Sequence, residues 1–234
     1  MTLAVPPEVD PVLDNAAWSA LTGRHAWLAI GGDVVRRYPD DVSPIVGIGD
    51  WRDPRVWDEL VEVFGPGAEV RVSGEAPRAP EGWQVTQEGS GVQLVLTDPS
   101  TPRPTTDAVE LGAADAAEML DLVARSRPGP FLPRTYVMGR YIGIRREGRL
   151  VAMAGERLQP EGWTEISAVT TDADHRRQGL ATRLVLDVAH HIRERGDRPL
   201  LHAAAGNATA IRLYQQLGFT LRRHRTFVRI RVPG

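Results

Sequence analysis

A change of hydrophobic period at Leu180 constrains the fold of this chain more than any other feature of its sequence. Before it, three short β-rich runs are separated by turn sequences that contain glycine and proline. The runs cover residues 141–145, 150–157 and 163–170. From Leu180 to Ile192 an apolar residue recurs at every fourth position, and Gly196 follows where a helix would stop. This order predicts three antiparallel strands followed by a long helix that packs one face.

Further elements on both sides extend the order to β-α-βββ-α-β-α-β. The earlier part contains a strand at residues 108–111 and a helix at 113–125. The later part contains a strand at 198–204, a helix at 207–217 and one or two closing strands at 219–232. Asn207 is suited to cap the second of these helices. We therefore predict a mixed α+β domain over residues 105–234.

A segment rich in proline and threonine, residues 97–107, resists regular structure and marks a predicted domain boundary. Upstream of it, residues 1–104 carry weaker signals of a smaller α+β domain. These signals are strand-like runs at 26–30, 45–48, 69–72 and 92–96 and an amphipathic helix at 55–64. Five of the six tryptophans lie in this part, which favours a hydrophobic core over a ligand site.

Composition excludes several classes of function. The chain has no cysteine and no lysine, so thiolate nucleophiles, cysteine-held metals, lysine Schiff bases and Walker-type phosphate loops are ruled out. A net charge of −2 offers no general attraction to nucleic acid or to an anionic membrane. Apolar stretches are too short for a membrane helix, and the first residues lack the order of a signal peptide. We expect a cytoplasmic protein.

The loop between residues 169 and 182 carries the strongest chemical signal. A strand ends there, a polar loop follows, and a long helix begins. Free N–H groups and the helix dipole favour an anion at such a start, and Gly179 lets a phosphate approach the backbone. Arg176 and Arg177 add positive charge at the same place. By itself the pattern is weak, because a helix start that merely contains glycine and arginine is common.

A second motif follows about 30 residues later, and the two together resemble the GNAT superfamily of N-acetyltransferases. The first has the form Arg/Gln-x-x-Gly-x-Gly/Ala, which Arg176, Gly179 and Ala181 match. The second is formed by Asn207, Ala210, Tyr214, Gly218 and Phe219. The resemblance covers roughly residues 105–234. Residues 1–104 are compatible with a degenerate copy of the same fold that lacks the loop motif.

The resemblance implies a mostly antiparallel sheet whose fourth and fifth strands splay apart, with acetyl-CoA as the acyl donor between them. A bulge in the fourth strand would free main-chain groups for the cofactor, and one N–H would polarise the thioester carbonyl. The resemblance assigns the following residues to the cofactor: Val169, Thr171, Arg176, Arg177, Gln178, Gly179, Leu180, Ala181, Thr182, Asn207 and Ala210. No metal is implied.

Two residues are catalytic candidates on the same basis. Glu165 lies where family members carry a glutamate that deprotonates the amine, and regular alternation would place it on one face with Val169. Alternatively, it is a solvent-facing strand residue. Tyr214 corresponds to the residue that protonates the departing thiolate, or it is a buried aromatic beside Leu217.

Several points stay open in the sequence. His202 could approach the substrate or lie in the core, and the adjacent His190 and His191 have poor geometry for a metal. The acceptor is expected to be a primary amine of a small molecule or amino acid, and the resemblance is nearest to the branch of glycine N-acyltransferase-like enzymes. Protein amino termini or lysines, and a non-catalytic acyl-CoA-binding module, are the alternatives. A homodimer through the final strands is a route that family members take.

Overall fold

The computed structural model describes residues 10–74, 78–98, 100, 107–126 and 129–234. Within them the helices are α1 (Pro11–Asp14), α2 (Ala16–Thr22), α3 (Arg55–Phe64), α4 (Ala116–Ser126), α5 (Leu180–Glu194) and α6 (Ala208–Gln216). The strands are β1 (Ile30–Gly31), β2 (Val35–Arg37), β3 (Val46–Ile48), β4 (Glu69–Ser73), β5 (Gln84–Leu96), β6 (Val109–Leu111), β7 (Tyr141–Arg146), β8 (Arg149–Glu156), β9 (Trp163–Thr171), β10 (Arg198–Ala204) and β11 (Phe219–Arg231). None of the described helices has the length and apolar content of a membrane span.

One large sheet organises these elements, in the strand order β4-β11-β5-β10-β9-β8-β7-β6. Among the described strands of this sheet, every neighbouring pair is antiparallel except β9 and β10, which run parallel. The connection between these two passes through α5, as a parallel pair requires. The predicted fold, a mostly antiparallel sheet flanked by helices, is confirmed.

Strand β5 enters the middle of this sheet from the first hundred residues. It pairs antiparallel with β10 on one side and along most of its length with β11 on the other. β4 adds the outermost strand beside β11. The sheet therefore does not divide at the predicted boundary at residue 104. Residues 99 and 101–106, where that boundary falls, lie outside the described residues, as do 127 and 128 of the predicted turn after α4.

Helices cover both faces of the sheet. On one face α5 buries the apolar stripe that its four-residue period predicted, and α6 packs beside it. On the opposite face α4 buries Met119 and Leu122 against β7 and β8. Asn207 caps α6 as predicted, because its side chain accepts a hydrogen bond from the N–H of Ala210 at 3.2 Å.

The first hundred residues also contain a second, smaller sheet. β1, β2 and β3 make a three-stranded sheet, and α3 packs its predicted stripe into an adjoining core. The strand predicted at 26–30 is wrong for residues 26–28, which form a turn of 3-10 helix in which the Ala29 N–H donates to the carbonyl oxygen of Ala26, and β1 begins only at Ile30. Trp27 is 67% exposed, so the expectation that these tryptophans fill a core fails for this one.

Candidate active site

The parallel strands β9 and β10 separate partway along their length. Their pairing runs from Trp163 opposite Arg198 to Ile166 opposite Leu201 and ends there. Beyond that point β10 continues beside β5, and β9 continues beside β8. A wedge-shaped gap therefore opens between residues 167–171 and 202–204, and the predicted splay is confirmed.

A bulge in β9 adds to this opening. Met153 faces Thr170 and Gly155 faces Ser167, so two residues of β9 oppose one residue of β8. Ala168 adopts a left-handed conformation at φ 53°, which a residue with a Cβ rarely takes. Such outliers cost free energy and concentrate at functional sites. The bulge also reverses the alternation, so Val169 packs toward α5 while Ala168 packs toward α4.

The loop before α5 presents main-chain donors to solvent. Arg177 and Gly179 both have left-handed backbones, at φ 64° and 73°. Within the described part of the chain, the N–H groups of residues 177–179 find no hydrogen-bond acceptor. Arg176, Arg177 and Gln178 are exposed, and the first turn of α5 contains no acidic residue. The arrangement suits an anion, because free N–H groups and the helix dipole meet there and two exposed arginines stand in the same loop.

Asp172 holds this loop in place. Its Oδ1 accepts the N–H of Asp174 at 3.2 Å, and its own N–H donates to Val151 of β8. Its Oδ2 lies 3.3 Å from Arg125 Nη1 at the end of α4. The side chain is buried, so it shapes the loop and does not face solvent.

Several residues assigned to the cofactor lie together on the α5 face. Val169, Leu180 and Ala210 pack in the same hydrophobic cluster as Tyr214. The Tyr214 ring is buried edge-to-face against Phe219, and burial raises the pKa of its hydroxyl to about 12. The phenol is therefore protonated at neutral pH. Its hydroxyl makes no hydrogen bond with the residues that the structure describes.

Glu165 lies on the other face of β9 and is fully buried, so its solvent-facing alternative is wrong. Its Oε1 accepts from Arg157 Nη2 at 2.6 Å and from His202 Nδ1 at 2.9 Å. Its Oε2 accepts from Arg157 Nε at 3.0 Å. These partners outweigh the cost of burial and hold the pKa of the carboxyl well below its usual range. The expectation that Glu165 shares a face with Val169 is also wrong, because the bulge intervenes.

The ion pair belongs to a row of side chains that crosses four adjacent strands. His202 Nε2 lies 3.0 Å from Gln93 Nε2, and Gln93 Oε1 accepts from Arg222 Nη1 at 2.7 Å. Arg222 Nη2 reaches Asp14 Oδ1, 2.8 Å away at the end of α1. The row thus joins β9, β10, β5 and β11 to the first helix. Sequence reasoning missed Gln93, Arg222 and Asp14, because only the pairing of β5 with both neighbours brings them together.

A second buried polar pair supports this face. His25 Nδ1 lies 2.8 Å from the Tyr38 hydroxyl, and His25 Nε2 lies 3.0 Å from the carbonyl oxygen of Met138. Because a carbonyl only accepts, Nε2 carries the proton and Nδ1 accepts from Tyr38. Burial lowers the pKa of His25 to about 4. Within the described residues, no three side chains of the kinds that bind metals are grouped to hold an ion.

Comparison with known proteins agrees with this geometry. A family model described as FR47-like protein matches residues 141–228, which run from β7 into β11. A mycothiol acetyltransferase from Thermomonospora curvata is 36% identical over 76 residues. That match spans 32% of this chain and only 26% of the relative.

Several solved structures match nearly the whole chain, and two of them are described here. One, assigned to the GNAT family of acetyltransferases, comes from Novosphingobium aromaticivorans. It is 33% identical, superimposes with a TM-score of 0.84, and aligns over 95% of this chain and 98% of its own. A GCN5-related N-acetyltransferase from Kribbella flavida is 20% identical, with a TM-score of 0.62 over 95% and 96% of the two chains. At 20% identity, the similarity to the second structure shows only that the fold is shared.

Proposed function

The chain belongs to the GNAT family of N-acetyltransferases, and from this premise we propose that it transfers an acetyl group from acetyl-CoA to a primary amine. The observation that carries the proposal is the wedge between β9 and β10, which opens beside the donor-rich loop before α5. An extended ligand arm fits along the unpaired strand edges, and a pyrophosphate fits the loop.

The residues at this site fit acetyl-CoA. The main-chain N–H groups from Arg177 to Thr182 would hold the pyrophosphate, with Arg176 and Arg177 adding charge. Main-chain groups near Val169 and Thr171 lie on the edge of β9 that has no partner on β10 and would pair with the pantetheine arm. Asn207 and Ala210 would border that arm. When bound, acetyl-CoA supplies the thioester that the amine attacks.

Tyr214 and Glu165 are the proposed catalytic residues. The hydroxyl of Tyr214 is protonated at neutral pH and is not engaged by other described residues, so it is available to protonate a leaving thiolate. Glu165, on the other face of β9, is proposed to assist the deprotonation of the acceptor amine through its hydrogen bond with His202. Its carboxylate is held by Arg157 and His202. The amine would therefore have to pass its proton through one of these partners or take the place of one of them.

The acceptor is proposed to be the amine of a small molecule or an amino acid. The relative from Thermomonospora curvata, which is named for a thiol compound and not for a protein, supports this choice. Phe131, which follows α4, and Leu13 of α1 pack on the face of the sheet that carries Glu165, and the parts of the chain around them would select the acceptor.

Ligand binding and turnover can be tested on the same purified protein. A thermal-shift titration with acetyl-CoA, longer acyl-CoAs and ATP should give a clear stabilisation with the CoA esters alone, because a ligand of the native state raises the Tm by mass action. A thiol-release assay against a panel of amines should then show amine-dependent turnover. Stabilisation without release on any amine would favour a non-catalytic acyl-CoA-binding module. No stabilisation by any CoA ester would contradict the site.

Variants test the two catalytic assignments. Tyr214→Phe and Glu165→Gln should each lower turnover by roughly 10²-fold or more while the stabilisation by acetyl-CoA survives. Unchanged turnover in both variants would contradict the assignments. The exposed Glu62→Gln on α3 is a matched control that should leave turnover unchanged.

A further inference from the structure

We propose that His202, and not Glu165 itself, takes the proton from the acceptor amine. In this assignment Glu165 and Gln93 are positioning residues that orient the imidazole and fix its tautomer, so that Nε2 carries the lone pair. The inference rests on the proposed acetyl transfer and names the atom that serves as its base. It is carried by the row of side chains that links β9, β10, β5 and β11.

Donor and acceptor chemistry fixes the tautomer of His202. Arg222 can only donate, so the Gln93 atom that faces it must be the carbonyl oxygen Oε1. The Gln93 amide nitrogen therefore donates its two hydrogens, one to the carbonyl oxygen of Leu13 at 2.9 Å and one to His202 Nε2 at 3.0 Å. Nε2 must then be an acceptor, and Nδ1 carries the proton that it donates to Glu165.

Glu165 and His202 are arranged like a carboxylate that orients the imidazole of a general base. Glu165 fixes the ring and stabilises the imidazolium that forms when Nε2 takes a proton. The other charged groups in contact with the row are Arg157, paired with Glu165, and Asp14, which pairs with both Arg222 and Arg223. Arg157 is paired with Glu165, and the Gln93 amide lies between Arg222 and the imidazole.

Position also favours His202 over Glu165. His202 is the first residue of β10 beyond the last parallel pair, so it lies at the start of the wedge where the thioester is proposed to lie. Its side chain is 17% exposed, whereas that of Glu165 is 0% exposed. Both oxygens of Glu165 are already occupied, while Nε2 is held only by one amide N–H. An acceptor ammonium presents the same kind of donor and can replace that amide hydrogen.

The proposed step balances as follows. The acceptor ammonium gives one proton to His202 Nε2, and its nitrogen then forms a bond to the thioester carbon. The carbon–sulfur bond breaks, and the sulfur leaves with the proton of the Tyr214 hydroxyl. The nitrogen loses a second proton as the amide forms. A proton then returns through solvent to the Tyr214 phenolate and restores its neutral hydroxyl. His202 releases its own extra proton to solvent.

A pH series separates this role from a structural one. With the fastest amine of the panel, His202→Gln should lower kcat/KM at pH 7 by roughly 10²- to 10⁴-fold. The deficit should shrink by about tenfold per pH unit toward the pKa of the acceptor amine, because free amine no longer needs a base. A structural defect would not be repaired by raising the pH. The Tm increase with acetyl-CoA should persist in the variant.

A second variant keeps the histidine and changes only its partner. Gln93→Glu presents a carboxylate oxygen to Nε2, which favours a proton there, so the same pH-dependent deficit is expected. The exposed His224→Gln on β11 is the matched control and should behave as the unchanged chain. A deficit that is equal at every pH, or normal activity in His202→Gln, would overturn the assignment. Absence of amine-dependent thiol release in the unchanged chain would overturn the proposed function and this assignment with it.

Discussion

Acidification from pH 7 to pH 5 should destabilise the protein by about 2 kcal/mol through one residue, His25. Its ring is 2% exposed and lies between the Tyr38 hydroxyl and the Met138 carbonyl oxygen. Nδ1 accepts from Tyr38, so a second ring proton would force the hydroxyl to turn its own hydrogen away and would place a positive charge in a buried site. Burial without a compensating acid lowers the pKa from 6.5 to about 4.

The sign follows from proton binding in the two states. Between pH 6.5 and pH 4 the unfolded chain binds a proton on His25 that the folded chain does not, so stability falls as the pH falls. The unfolded and folded pKa values of His25 differ by about 2.5 units, and each unit is worth about 1.4 kcal/mol. The free energy of unfolding therefore falls by about 3 kcal/mol in all by pH 4. Glu165 and Asp197, whose folded pKa values are lowered, lose their contribution only below about pH 4.5. The window from pH 7 to pH 5 therefore isolates His25 from these carboxylates.

Urea denaturation followed by tryptophan fluorescence at pH 7, 6 and 5 measures the effect. The variant His25→Gln keeps an acceptor for Tyr38 and a donor for Met138 but does not titrate, so it should lose about 2 kcal/mol less than the unchanged chain by pH 5. In thermal melts this is a difference of about 4–8 °C for a chain of this size. His224→Gln, at an exposed position, should follow the unchanged chain. Parallel loss of stability in His25→Gln and the unchanged chain would refute the reasoning.

Three further predictions concern the sheet and the loop before α5. Glu165→Ala should lower the free energy of unfolding by about 3–5 kcal/mol in urea melts, because Arg157, whose side chain is only 17% exposed, loses its carboxylate partner, whereas the exposed Glu62→Ala should lower it by less than about 1 kcal/mol. Gly155→Ala should lower the free energy of unfolding by about 1–3 kcal/mol, because the added Cβ would lie 2.2 Å from the Tyr141 ring. Gly206→Ala is the matched control, because a Cβ there would meet no atom within 4 Å. Gly179 and Gly196 have similar left-handed backbones at opposite ends of α5, so replacing either by alanine should lower the free energy of unfolding by about 1–2 kcal/mol. Only Gly179→Ala should also reduce the Tm increase with acetyl-CoA.

Local patterns in the sequence were sufficient for most of the second half of the chain. The period at Leu180–Ile192 predicted α5, and Asn207 predicted the cap of α6. Both signals are local, because a helix is formed by contacts between residues three or four apart. The loop motif with Gly179 was also readable, since a left-handed turn before a helix selects glycine. The bulge at Ala168 was placed in the right strand, but alternation alone put Val169 on the wrong face.

The surroundings of Glu165 and His202 were decided only by the tertiary structure. The sequence alone identified a family, a donor-rich loop and two catalytic candidates, because these depend on short motifs. It did not indicate that β5, from the first hundred residues, lies between β10 and β11. That insertion brings Gln93 to His202 and Arg222 to Gln93, across separations of more than 100 residues. Strand pairing over such distances depends on how the whole sheet assembles, so the tautomer of His202 is a property of the fold and not of its local sequence.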